Sequence, residues 1–288
     1  MAVYKRTYRG YSGAITPAWS RFLVLYRSSR RTLFKSKGAI VFFVLCFFFP
    51  LLCLLGVYAN SNLSAISFLG GRASQALHFD VNGAFFLLYI GIQSGLSLIL
   101  TAFIGPGLVS PDLANGALTL YLCRPLSRTE YVLGKMSVLV ILLSQITWIP
   151  GLVIFFVQGS LVGWQWTVDN AWLAFGVVLG SLIWILVLSL LSMALSAWIK
   201  WRIAAGAFFL AVFFVGAGFA QAINAVLRTQ QGYLFDVQNF VSVIVRDLLR
   251  DQTAQSIAVG EAWFALLVFL TLCLLLLMRK LKPNEVVR

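Results

Sequence analysis

Six stretches of roughly 20 or more almost wholly apolar residues dominate this chain, at 38–59, 84–106, 137–159, 171–199, 203–223 and 259–278. An α-helix rises about 1.5 Å per residue, so each run is long enough to cross about 30 Å of hydrocarbon. Hydrocarbon offers no hydrogen bonds, and a run of this length in lipid must satisfy its backbone internally as a helix. No Asp, Glu, Lys, Arg or His stands deep in any of the six; Glu261 lies only near the start of the last. Composition agrees: the chain is 60% hydrophobic and 11% charged, with a mean hydropathy of +0.91. A soluble domain carries roughly 25% charged residues. The expected fold class is therefore all-α, a polytopic membrane protein with six transmembrane helices. Disordered, coiled-coil and ordinary soluble enzyme folds are excluded.

The first run is too long for a cleavable signal peptide, and 37 residues precede it. No internal repeat is visible. The expected organisation is an amino-terminal arm at 1–37, one membrane domain at 38–278 and a basic tail at 279–288. Within the domain, 107–136 forms the loop between spans two and three, and 224–258 forms the loop between spans five and six.

The net charge is +13, from 22 Lys and Arg against nine Asp and Glu. In a soluble chain such a surplus would suggest nucleic acid. Here its distribution suggests a membrane surface. Eighteen basic residues fall on the side that holds both termini and four on the other, namely Arg72, Arg228, Arg246 and Arg250. Basic residues near span ends favour the cytoplasm, so both termini are expected there, in a bacterial cytoplasmic (inner) membrane.

Residues 17–37 read as an interfacial helix. Thr16 can cap it and Pro17 suits its first turn. Trp19, Phe22, Leu23 and Tyr26 share a face, with Leu33 and Phe34 following. Arg21, Arg27, Arg31 and Lys35 lie between them, as in a helix lying among anionic headgroups. A plain positive anchor for span one accounts for the same residues.

The loop between spans two and three carries the densest signal. Ser110, Pro111 and Asp112 look like a helix start, with a cap, a first-turn proline and a carboxylate at the positive helix end. Leu113, Ala117, Leu120 and Tyr121 then recur at helical steps, and the helix must end before Pro125. Ser127 and Glu130 have the spacing of a capping box that opens the next helix. The expected pattern is helix, break, helix. A well-capped passive connector has the same pattern.

This segment resembles the cytoplasmic loop of type-two ABC exporter permeases. The shared positions are Asp112, Gly116, Leu118, Leu120, Arg124, Pro125, Ser127, Arg128, Tyr131, Gly134 and Lys135. That family's acidic residue shortly before the Gly is commonly Glu; here it is Asp112, four positions before Gly116, a minor departure. The six spans, cytoplasmic termini and basic elbow extend the likeness over nearly the whole chain. The resemblance implies that the short helix at 110–124 is a coupling helix docking on a nucleotide-binding subunit. Asp112, Leu113, Gly116, Leu120, Arg124, Pro125, Ser127 and Arg128 would carry the coupling. It also implies a second permease copy or a homologue, with ATP and Mg bound by the partner ATPase.

This chain has no G-x-x-x-x-G-K-[ST]: Met136 follows Gly134 and Lys135, and no Gly stands five residues before Gly134. It is therefore expected to be a transport subunit and not an enzyme, binding no cofactor itself. The ion-free spans argue against a proton- or sodium-coupled carrier. His78 is alone, and Cys46, Cys53, Cys123 and Cys273 form no C-x-x-C, so no metal site is expected.

Small and polar residues recur inside the spans. Gly91 with Gly95 and Gly176 with Gly180 form G-x-x-x-G pairs, which let helices approach closely. Gln93 and Gln145 either pack between helices or face a translocation path or subunit seam. Pro150 should kink its helix. In the last loop, Phe240, Val243, Ile244 and Leu248 share one face of an amphipathic helix, placed at the outer surface. The rival to the permease reading is a non-transporting membrane scaffold or assembly factor. An intramembrane enzyme ranks below it, since Asp112 with Arg124 and Arg128 is the only cytosolic candidate cluster. The cargo is not legible.

Overall fold

The computed structural model describes residues 37–62, 80–114, 128–251, 253 and 255–280, together with Ser29. Side chains at 113, 114 and 128 lie outside this description, as do the expected interfacial helix (Ser29 and Lys37 aside) and the tail beyond 280. All regular elements among the described residues are helical. The chain is an all-α protein with six helices long and apolar enough to span a membrane.

Three of the six spans are each built from two helices. Span one joins α1 (Lys37–Leu45) to α2 (Phe48–Ser61), span two joins α3 (Gly83–Ile104) to α4 (Pro106–Ala114), and span three joins α5 (Arg128–Ile146) to α6 (Trp148–Val162). The short α7 (Trp164–Asp169), not anticipated from the sequence, leads to span four, α8 (Ala171–Trp198). Span five is α9 (Arg202–Leu227). A 3-10 turn (Gln231–Phe235) and α10 (Val237–Leu248) precede span six, α11 (Val259–Lys280).

Each divided span carries a proline at its break. Pro50 stands four residues after Cys46, Pro106 four after Ala102, and Pro150 four after Ile146. A proline has no N–H for the carbonyl four residues earlier, so the ladder is interrupted there. Neighbouring helices supply donors at all three breaks. Gln93 Nε2 on span two donates to the Cys46 carbonyl at 3.1 Å, the very acceptor that Pro50 leaves empty. Tyr89, one turn earlier, donates its hydroxyl to the Thr147 carbonyl in span three at 2.7 Å. Arg202 on span five donates Nη2 to the Phe103 carbonyl at 3.1 Å. Pro150 therefore does interrupt span three, and the break falls at Thr147.

Span four is the hub. It packs against spans two, three, five and six and against α10. Within its most apolar window 61% of the residues are buried, against 17% for span one at the periphery. Trp184 ties it to span two, donating to Ser97 Oγ at 3.0 Å and the Ser94 carbonyl at 3.1 Å.

The two G-x-x-x-G pairs behave differently. At Gly176 and Gly180, an added Cβ would meet Leu249 at 2.8 Å and Val245 at 3.1 Å. These glycines seat α10, whose Val237, Phe240, Val241, Val243, Ile244 and Val245 are buried. The amphipathic helix thus packs its apolar face on the bundle. Asp236 caps it, accepting from the Gln238 and Asn239 N–H groups. Gly91 and Gly95 face open space, with nothing within 4 Å of an added Cβ. Close approach accounts for the first pair only.

Two measurements check this packing. Gln93→Leu should lower stability in detergent by about 1–3 kcal/mol, since it strands a buried carbonyl. In a Pro50→Ala background the loss should shrink, because residue 50 can then donate to Cys46. Gly206→Val should destabilise strongly, as its Cβ would meet the Ala102 carbonyl at 2.8 Å. Gly218, with nothing within 4 Å, should accept Val with a change within about 0.5 kcal/mol in thermal unfolding.

Candidate functional site

The loop between spans two and three is held at both stems. The helix expected to start at Ser110 instead starts at Pro106, directly after the break at Gly105. Pro106 takes the first-turn position, where its missing N–H is harmless. Ser110 is therefore a helix-interior residue and not a cap. Its hydroxyl is buried and donates toward the carbonyls of Ile199 at 2.8 Å and Ser196 at 3.3 Å, at the end of span four. Pro111 lies inside α4, and Asp112 stands six residues from the helix start, beyond the first turn. Capping does not explain this carboxylate.

Its partners come from the other stem. Lys135 Nζ lies 2.9 Å from Asp112 Oδ2, and the Tyr131 hydroxyl donates to the same oxygen at 2.8 Å. Tyr131 and Lys135 are four residues apart and so share one face of α5. The ammonium also lies 5.8 Å from the Tyr131 ring centroid. The Lys135 side chain is 8% exposed and that of Asp112 18%. It is the one ion pair among the described residues. A pair this sheltered is electrostatically strong but only because both members are present; removing either leaves a desolvated charge.

The expected loop at 107–136 is thus mostly helix. α4 runs through Ala114 and α5 begins at Arg128, so Lys135, placed in the loop by sequence, sits within span three. The start of α5 falls where the Ser127–Glu130 spacing puts it. Leu113 lies on α4 and Arg128 opens α5. Gly116, Leu120, Arg124, Pro125 and Ser127 lie outside the described residues.

The two glutamines part company. Gln93 is 1% exposed and turned to span one through Cys46, so its amide nitrogen has a packing role. Gln145 is exposed near the middle of span three, and among the described residues its amide has no hydrogen bond. Of the pair, Gln145 alone is available to a partner.

The same end of the molecule carries a second tie. Trp198, ending span four, donates Nε1 to the Leu276 carbonyl of span six at 3.1 Å, and Lys280 lies 5.3 Å from its ring. Sequence reading passed over Tyr131 and Lys135 as site residues, although their i, i+4 spacing after a capping box was visible. Their partner was not, because Asp112 looked already occupied. Among the described residues no three His, Cys, Asp or Glu converge as metal ligands.

Asp112→Asn and Lys135→Met should each cost about 3 kcal/mol, and the double variant less than their sum, in unfolding measured as a double-mutant cycle. Additive losses would show that the pair is not coupled. No protein-family model matches the chain, and no curated protein matches it.

Proposed function

We propose that this integral membrane chain is the permease subunit of an ATP-driven ABC transporter of exporter type. The ATPase is a separate polypeptide that binds ATP and Mg and docks on the loop between spans two and three. A second copy of the chain, or a homologue, completes the path. The termini and this loop face the cytoplasm, where the basic residues concentrate.

The observation that carries the reading is the Asp112–Lys135 clasp. It joins the last described turn of span two to the first turns of span three, on either side of residues 115–127. A push on a loop with free stems would be absorbed by bending. A push on clasped stems moves two spans together, and span four with them through Ser110. The resemblance of residues 110–136 to exporter coupling loops supports the same assignment.

The test is purification of the tagged chain from its native host. An ATPase subunit should co-purify with it and be lost when residues 115–122 are shortened. Lys135→Met should keep the ATPase bound while ATP-dependent transport falls by about tenfold or more. Absence of any ATPase, or full binding and transport by the shortened chain, would favour the scaffold role and end this assignment.

A further inference from the structure

The strongest unassigned feature lies at the opposite end of the bundle. A cavity of about 460 Å³ opens between span two, span four and α10, within the size range of ligand sites. Leu88, Gly91 and Ser94 form one wall, Trp184 the back, and Val241 and Arg246 the other wall. The wall on span two runs from Ala84 to Ser94. At 1.5 Å per residue this is about 15 Å, the depth of one leaflet of hydrocarbon. Leu88 is 61% exposed, so the cavity opens sideways toward the bilayer.

Arg246 sits where this slot meets a second cavity of about 250 Å³, lined by polar side chains including Gln230, Asn239 and Gln255. Its Nε is buried without a hydrogen-bond partner, and no carboxylate among the described residues pairs with it. Asp236 is engaged in capping α10, and Asp251 accepts from Thr253. Arg246 is half-buried with its Nε–H left without an acceptor; such a buried donor is costly, and an anion offering two oxygens to the guanidinium edge relieves the cost best. A polar basin, a cation and an apolar slot one leaflet deep together match an acidic amphiphile.

We propose that this cavity binds an anionic lipid, with its acidic headgroup on Arg246 in the polar basin and one acyl chain in the slot along Gly91. No residue of the loop between spans two and three takes part, so the site stands whether or not the chain is a pump subunit.

The test uses the full chain in nanodiscs of equal phosphatidylglycerol and phosphatidylcholine, extracted in mild detergent, with retained lipid counted by native mass spectrometry. Phosphatidylglycerol should be retained over phosphatidylcholine by about tenfold or more. Arg246→Gln should abolish the preference, and Arg246→Lys, which keeps the charge but loses the fork, should keep part of it. Gly91→Leu fills open space and should lower phosphatidylglycerol retention with an unchanged melting curve. Equal retention of the two lipids by the unmodified chain overturns the proposal. So does displacement of the lipid by free glycerol phosphate with Gly91→Leu silent, which would make this a small-anion site.

Discussion

A proline break inside a lipid-embedded span is the constraint around which this bundle is arranged. Water would repair a proline break at no cost, but hydrocarbon cannot. Pro50, Pro106 and Pro150 each interrupt a span; Gln93 repairs the Cys46 carbonyl that Pro50 leaves empty, and Arg202 and Tyr89 donate to the neighbouring carbonyls of Phe103 and Thr147 at the other two breaks. Two of the three donors lie on span two, one turn apart. That span is thereby bound to spans one and three by directional bonds, where apolar contact alone would leave register free. Breaks that weaken single helices become the points at which helices recognise one another.

The same logic places the charged pair. Asp112 and Lys135 are the only described charges that meet as an ion pair, and they meet where spans two and three leave the bundle. Tyr131 gives the carboxylate a second donor, so its burial is compensated. The pair brackets residues 115–127 and ties the two spans on either side of them together. At the other end, α10 fills the space that Gly176 and Gly180 leave open. The two ends of the molecule therefore differ in kind. One is clasped by ions, and the other is plugged by an apolar helix with an unpaired arginine at its edge.

How much of this was legible varies with the range of the interaction. Spans four, five and six fall within a few residues of their apolar runs, because hydrophobic length is a local property. The amphipathic pattern of α10 and the start of α5 were likewise local. Ser110 and Asp112 misled because their order imitates a cap. Deciding between cap and staple requires knowing that the end of span four lies alongside. The two G-x-x-x-G pairs are identical in pattern, yet one seats a helix and the other faces open space.

The sequence alone determined that the chain is all-helical, how many times it can cross a membrane and which segments do so, since these depend only on residues next to one another in the chain. Tertiary structure decided that Gln93 meets the carbonyl Pro50 orphans and that Arg202 and Tyr89 donate beside the other two breaks. It decided that Lys135 belongs to Asp112, and that the Nε of Arg246 is buried without a partner among the described residues. Those outcomes depend on which helices become neighbours, and apolar surfaces of similar composition do not encode that choice until they pack.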